Sequence, residues 1–414
     1  MSLFRRSITV IVRNLAHKTL LKFQPGIIAV TGSVGKTSTK EAIYTVLRAD
    51  RSVRRSQENL NNMLGVSLAI VGDFRQPPKA SLRAVWFWVN VLVRGYWHLW
   101  FGKSYPELLV LEYGVDRPHD MDELVRFFPP QIGVVTALGD IPPHVEFFDS
   151  PDALYREKEK LVRALPSTGF AVLNHDDEAV WEMCDETRAH VMSYGFSEEA
   201  HVAVLSYEHT YENDMPRGMS FKIQYDGKTI PLVLNALGRP QLYSATAAIA
   251  VGLIFGLNLV KIAQALEGYT VMSGRGNLIP GIKHTSIVDS SYNASPASMD
   301  MAIETLASLT GIPRRVAILG DMLEIGMYST EAHLALGRHA ASRVDYLIAV
   351  GARGTFIAEG AKEAGMAEEN LSVFATTEEL LPHLDALIHE GDCVVVKASH
   401  AMHFEKVIEE IRYR

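Results

Sequence analysis

The sequence predicts an α/β protein: a P-loop-containing parallel-sheet central domain with a small β-subdomain, followed by a Rossmann-like α/β C-terminal domain. Two patterns carry this reading. From Pro25 onward, short β-rich runs (IIAVTG, ELLVLEYG, QIGVVTAL, FAVLNHDD) alternate with helical stretches, the signature of a parallel sheet covered by helices on both faces. After the glycine-rich SGRGN at 273–277 the alternation restarts with TSIVDSS, RRVAILGD, YLIAVG and DCVVVKAS. A chain of 414 residues has room for about two or three domains. The expected divisions are a basic amphipathic helix over 1–24, a central domain over 25–272 with a tryptophan-rich helical insertion at about 81–103, and a C-terminal domain over 273–414.

Composition narrows the function classes. With 48% hydrophobic and 21% charged residues the chain can fill cores, which excludes a disordered or collagen-like polymer. A net charge of −8 gives no overall attraction to nucleic acid phosphates. Cys184 and Cys393 stand far apart and outside any CxxC pair, so neither a disulfide framework nor a thiolate zinc site is expected, and a reducing, cytoplasmic setting is.

The first element is a helix with Ile8, Ile11, Val12 and Leu15 at helical spacing among Arg5, Arg6, Arg13, Lys18 and Lys22. Arg13 interrupts its apolar run and no small-residue cleavage site follows, so it does not read as a signal peptide. Ala84 to Phe101 holds four of the five tryptophans. It approaches the length of a membrane span, but Asn90, Arg94 and His98 form a polar stripe at i, i+4, i+8. A single crossing there would also put Lys36 and Glu112, whose motifs belong to one site, on opposite sides of a bilayer. Two readings are left: a helix packed on a core or partner, or one lying in a membrane interface, peripheral on the inner face. Further on, alternating runs near 195–237 predict the small β-subdomain, and SATAAIAVGLIFG predicts a helix ending near Gly256.

The chemistry starts at TGSVGKTST, residues 31–39, between a strand and a helix. Such a turn makes a phosphate cradle from Gly32, Ser33, Val34, Gly35, Lys36, Thr37 and Ser38: backbone N–H groups face phosphate oxygens, Lys36 supplies a charge, and Thr37 offers a hydroxyl to Mg²⁺. Val30 stands where the general motif has its first glycine, so the loop is the compact T-G-x-x-G-K-T type. The run LVLEYG ends a buried strand in Glu112, and open α/β sheets bind ligands at the carboxyl ends of their strands. A carboxylate facing Thr37 there suits Mg²⁺. His144, after QIGVVTAL, reads by itself as a structural residue and, in company with Glu112, as a ligand for a second metal. Lys158 and Lys160, in the helix YREKEKLVRAL, read on spacing alone as a solvated charged face.

These motifs together resemble the Mur ligase superfamily, and within it the D-alanyl-D-alanine-adding (MurF-type) branch of peptidoglycan synthesis. The resemblance runs from about Ile27 to the C-terminus through TGSVGKTS, NNMLGV (61–66), LEYG (111–114), HVEFF (144–148), the REKEKL helix, VLNHDD (172–177), GRG (274–276), DSSYNASPASM (289–299), LGDMLEIG (319–326) and VKASHAM (396–402). It implies an ATP-dependent ligase in which a substrate carboxylate is phosphorylated and the acyl phosphate is captured by an amine. It also implies two Mg²⁺ sites, one on Thr37 and Glu112, the other on His144 and a carbamylated lysine that aligns with Lys158, with Lys160 as fallback. By the same resemblance Lys36, Lys158, His144 and Glu112 serve catalysis. Arg275 reaches the ATP phosphates, Asp321 the ribose, and Asn61, Asn62, Asp289, Tyr292, Asn293, Lys397 and Ser399 line the metal and substrate side.

Departures from the family pattern are specific. The usual H-N-x-x-N near the adenine is Pro240 to Ser244, the arginine of K-G-S-R-G is His400, and 24 residues precede the first strand where the family has a uridine-nucleotide-binding domain. The expected substrates are therefore a small-molecule or lipid-linked peptide and an amino-acid or dipeptide amine. A Mur-like ligase for another envelope or poly-amino-acid substrate, and a non-catalytic nucleotide-binding membrane scaffold, are the alternatives.

Overall fold

The computed structural model describes residues 3–57, 59–75, 77–78, 82–212 and 215–413; Ser81, at the expected start of the tryptophan-rich insertion, and the side chains of Arg5 and Arg6 lie outside the described residues. The central sheet has nine strands: β1 (Gly26–Thr31), β2 (Val53–Arg55), β3 (Leu108–Glu112), β4 (Ile132–Val135), β5 (Phe170–Asn174), β6 (His190–Gly195), β7 (Val202–Glu212), β8 (Met215–Tyr225) and β9 (Lys228–Leu234). Their order is β2-β3-β1-β4-β5-β6-β7-β8-β9. Pairing is parallel from β2 to β7 and antiparallel from β7 to β9. The predicted β-subdomain is thus a hairpin extension hydrogen-bonded onto the sheet.

The period-two alternation of a strand sorts this sheet into two cores. Ile28, Val30, Val110 and Val134 face one side with α2 (Lys36–Leu47) and the helix Arg239–Ile254. Ile27, Ala29, Leu109 and Leu111 face the other, where α1 (Leu3–Phe23), α3 (Met63–Val71), α4 (Leu82–Phe101) and α5 (Asp120–Phe127) lie. The helix α6 (Pro151–Arg163) follows β4, started by Ser150 Oγ accepting from the Ala153 N–H. Strand β1 lies between β3 and β4, and the chain leaves β1 toward β2 on one side but β4 toward β5 on the other, so the carboxyl ends of β1, β3 and β4 open the crevice where parallel sheets take ligands.

The N-terminal helix packs on the domain through Ile8, Val12, Leu15 and Ala16. It runs beside α4: Leu15 fills the space over Gly95, where a Cβ would come within 2.4 Å of its Cδ2, and Lys22 Nζ donates to the Leu99 and Gly102 carbonyls at 2.8 and 2.9 Å. For α4 the structure shows packing on the core: Val91 and Gly95 are buried, while the opposite face is open to solvent.

The second sheet comprises β10 (Asn277–Pro280), β11 (Ser286–Asp289), β12 (Arg315–Gly320), β13 (Tyr346–Val350), β14 (Leu371–Phe374) and β15 (Cys393–Lys397). Their order is β10-β11-β15-β12-β13-β14, parallel except for β10. The C-terminal ends of β11 and β15 face the crevice of the first sheet, and a cavity of about 1040 Å³ lies between the two domains.

Candidate active site

The loop after β1 is shaped by two glycines. Gly32 has φ 138°, and a Cβ there would fall 2.0 Å from Thr136 Oγ1; Gly35, with φ 86°, sits in the left-handed region that opens α2. Not every amide of the loop faces the cavity. Ser33 and Val34 N–H donate to the Ala137 carbonyl at 2.7 and 3.1 Å, which pins the loop to the end of β4. The first turn of α2 is different: its N–H groups have no partner within the helix, and such groups are the donors a phosphate can use. Lys36 Nζ rests on the Gly32 and Ser33 carbonyls at 2.9 and 3.2 Å. Burial lowers its pKa, partly opposed by the Glu112 charge.

Glu112 is paired in register with Val30, which brings its buried carboxylate to α2. It accepts from Thr37 Oγ1 at 2.8 Å and from Asn61 Nδ2 at 3.1 Å. Gly114 makes room for Asn61, since a Cβ would lie 2.7 Å from its amide carbon. Burial pushes the Glu112 carboxyl up, but Lys40, Lys36 and Arg275 and the Thr37 hydrogen bond outweigh it, and the net shift is downward. Lys40 is fully buried, one turn beyond Lys36, and donates to the Ser56 carbonyl at 2.7 Å. The i, i+4 spacing from Lys36 is the signal that would have found it.

His144 adopts φ 69° at the junction of the domains. Its Nδ1 lies 2.7 Å from Glu324 of the second domain and its Nε2 3.5 Å from Asp116. Burial lowers its pKa despite both carboxylates, with Lys36 and Lys158 adding to the lowering, so a neutral imidazole is available as a ligand. Asp116 and Glu324 were not singled out by sequence, although Glu324 stands in the LGDMLEIG run. Lys158 is buried and donates to Ser33 Oγ at 2.9 Å. Burial, then Lys36, hold its pKa well below the usual lysine value. Lys160, two residues on, points to the surface and pairs with Asp122 and Glu157, both at 2.6 Å. Of the two lysines, Lys158 is the one that touches the 32–38 loop.

Across the crevice, the Arg275 guanidinium lies 3.9 Å from the centre of the Tyr292 ring, which stacks on His400. Gln241 Nε2 fixes the Arg275 carbonyl at 2.7 Å. Lys397 Nζ donates to the Asn293 carbonyl at 2.8 Å, and burial lowers its pKa to about 7. Arg275, Tyr292, Asn293, Lys397 and Ser399 all line the cavity with Lys36, Thr37, Asn61, Glu112 and His144.

Other sequence-selected residues have structural partners. Asn62 Oδ1 accepts from Gly65 N–H at 2.9 Å and caps α3. Asp289 stands behind the cavity wall, accepting from the Gly274 N–H at 2.7 Å and Ser291 Oγ at 2.6 Å, and so shapes the turn that carries Arg275. Asp321 also stands off the wall, accepting from the Arg353 N–H at 2.9 Å. Ser399 Oγ accepts from the Leu323 N–H at 2.9 Å.

The residues suit a divalent cation only in company with a ligand. Among the described residues no three His, Cys, Asp or Glu side chains converge on one point. The Thr37 hydroxyl paired with the Glu112 carboxylate is a hard-oxygen donor set of the kind Mg²⁺ takes together with phosphate oxygens.

Comparison with known proteins agrees with this geometry. Residues 101–252 match the Mur ligase middle domain, and residues 274–400 match the Mur ligase glutamate ligase domain. The chain is 27% identical to the UDP-N-acetylmuramoyl-tripeptide--D-alanyl-D-alanine ligase of Bacillus subtilis over 401 residues, covering 97% of this chain and 79% of the relative. It is 26% identical to the Escherichia coli protein of the same name, covering 93% and 76%. Among solved structures, MurF from Acinetobacter baumannii superposes with a TM-score of 0.80 at 25% identity, covering 97% of this chain and 80% of that one. MurF from Thermotoga maritima, in complex with ADP, shares the fold with a TM-score of 0.79 at 24% identity, covering 97% and 83%. The chain belongs to the Mur ligases, whose middle and C-terminal domains form the two walls of its cavity.

Proposed function

We propose that this ATP-dependent ligase joins D-alanyl-D-alanine to the terminal carboxylate of a muramoyl-tripeptide precursor. The carboxylate oxygen attacks the γ-phosphorus of ATP and ADP leaves. The amine then attacks the acyl carbon and phosphate leaves, so that one amide forms for each ATP cleaved. Carboxylate is a poor electrophile in water, and phosphorylation gives it a good leaving group. Both steps spread negative charge over phosphoryl oxygens, which calls for cations and N–H donors set in advance.

The observation that carries the reading is the Thr37–Glu112 pair at 2.8 Å on the phosphate loop, facing Arg275 and Lys397 of the other domain across one cavity. Lys36 and the first-turn amides of α2 would receive the phosphates, and Arg275 would complete their charge balance from the C-terminal side. A site divided between two domains excludes water when they close. Mg²⁺, when bound, would neutralise charge on the phosphoryl oxygens; Thr37 with Glu112, and His144 with Lys158, are the residues that would hold two such ions.

Lys158 supports its expected modification. Burial and the neighbouring Lys36 charge shift its amine toward the neutral form, whose nitrogen lone pair can add to CO₂, releasing a proton and leaving an anionic carbamate. That change turns an amine, which offers no oxygen, into a carboxylate-like ligand.

The acceptor has a second form worth separating. The cavity has an apolar wall of Ile8, Leu64, Leu68, Ala84 and Trp88 beside its polar centre, which supports a lipid-linked muramoyl peptide as well as a free nucleotide-linked one.

The test is ADP and phosphate release from the purified chain with each acceptor. Release that requires both D-alanyl-D-alanine and a muramoyl tripeptide is the expected result, and Lys36→Ala abolishes it. A requirement for a different amine, or nucleotide binding without turnover, would contradict the assignment.

A further inference from the structure

We propose that the outward face of α4 seats on an anionic lipid bilayer, holding the protein at the membrane surface with its cavity beside the lipid. The proposal stands independently of the ligase reading.

The face is large and apolar. Leu82, Trp86, Val93, Trp97, Trp100 and Phe101 are 59–83% exposed, and their spacing places them together on the side of the helix opposite Val91 and Gly95. An unbroken surface of this kind on a folded chain marks an interaction site. Indole rings favour the boundary between headgroups and acyl chains, where an apolar body and a single N–H donor both find partners.

Charge identifies the occupant. Residues 74–106 contain no Asp or Glu and five basic residues (Arg75, Lys79, Arg83, Arg94 and Lys103), and residues 1–40 also lack any acidic residue, in a chain whose net charge is −8. Arg83 and Arg94 flank the apolar face and are exposed. Cations bordering an indole-rich stripe complement anionic headgroups. A second copy of the chain would instead bring the same basic flanks against one another, because a twofold interface pairs a surface with itself.

Crossing is excluded on two grounds. Among the described residues no helix is long and apolar enough to span a bilayer, and the inward face of α4 is committed to the core, with Gly95 against Leu15 and Val71. The helix therefore lies in the plane of the surface, its apolar side chains ~5–10 Å into the headgroup boundary. Ala84 and Trp88, on its inner side, line the catalytic cavity, so the cavity would lie about one helix diameter, ~10 Å, from the lipid.

The experiment is co-sedimentation of the full chain with phosphatidylcholine vesicles, with and without about one-third phosphatidylglycerol, for wild type and Trp86→Gln/Trp97→Gln/Trp100→Gln. These side chains are exposed, so the variant should keep its thermal transition; Trp88 is left in place because it faces inward. Wild type is expected to pellet with the anionic vesicles and to be released by salt, and the triple variant to partition at least roughly tenfold less, equivalent to ~1.4 kcal/mol. In wild type, brominated lipid should quench tryptophan fluorescence. Equal partitioning of the two proteins, or wild type remaining in the supernatant with anionic vesicles, would overturn the proposal. A dimer in solution that the triple variant dissociates, without vesicle binding, would overturn it too and assign the face to a second copy.

Discussion

Glu112→Gln tests the electrostatic frame of the site most sharply, because it keeps the shape and removes the charge. The wild-type carboxylate accepts from two donors, Thr37 Oγ1 and Asn61 Nδ2. A glutamine can keep both partners, its oxygen accepting from Asn61 Nδ2 and its NH₂ donating to the Thr37 hydroxyl, which can also accept, so the cost lies in the lost charge. Lys40, Lys36 and Arg275 lose the charge that holds the Glu112 pKa down; leaving a buried cation without its partner costs ~3–5 kcal/mol where it cannot relax. Lys40 keeps the Ser56 carbonyl and Glu41, so the lower end of that range, about 3 kcal/mol, is expected at neutral pH. The folded-state pKa is lowered, so the carboxylate's contribution is present above the ordinary glutamate range and lost as pH falls below it. The stability difference between wild type and variant should therefore shrink in acid. Urea titration from neutral to acid pH reads this, and turnover should fall on the order of 10²–10³-fold. A difference within about 0.5 kcal/mol at neutral pH, the size of an ordinary surface substitution, would refute the reasoning.

Other outcomes follow from individual side chains. Lys158→Ala should abolish turnover and regain part of it with added short carboxylic acids that occupy the carbamate position, while Lys160→Ala, at the surface, should stay within severalfold of wild type in the same steady-state assay. Lys397, with a folded pKa of about 7, binds fewer protons than it does in the unfolded chain between pH 7 and its ordinary value. Stability should therefore rise with pH through that window by up to ~1.4 kcal/mol per pH unit, and Lys397→Met should remove this part of the slope in pH-dependent urea melts. Asn62→Ala, which removes the cap of α3, should cost ~1 kcal/mol in the same melts with little change in the KM for ATP, whereas Asn61→Ala, which touches Glu112, should raise KM or lower kcat.

The parts of this site that were legible in the sequence are those made by contiguous chain. A strand, a glycine turn and a helix at 26–47 define the loop, and β3 ends on Glu112 beside it because parallel strands share a direction. The tryptophan-rich segment was legible as a helix, but not which of its faces packs inward; Gly95, with its Cβ position filled by Leu15, decides that. Motif membership did not announce the backbone partners of Asn62, Asp289 and Asp321, which hold the cap of α3, the turn before Arg275 and the backbone at Arg353, while Asn62 also lines the cavity. Residues joined across the domains were not legible at all: nothing local to His144 signals Glu324, 180 positions away at the tip of the other sheet. The choice between Lys158 and Lys160 likewise depends on which side of α6 meets the loop.

The central claim is that the triphosphate of ATP lies on the 32–38 loop with the C-terminal domain closing over it. A crystal structure with a non-hydrolysable ATP analogue tests it most directly. The phosphates should contact Lys36 Nζ and the first-turn amides of α2, with Arg275 reaching them from the opposite wall. A nucleotide bound elsewhere, or a crevice between Thr37 and Arg275 that stays empty at saturating analogue, would contradict it.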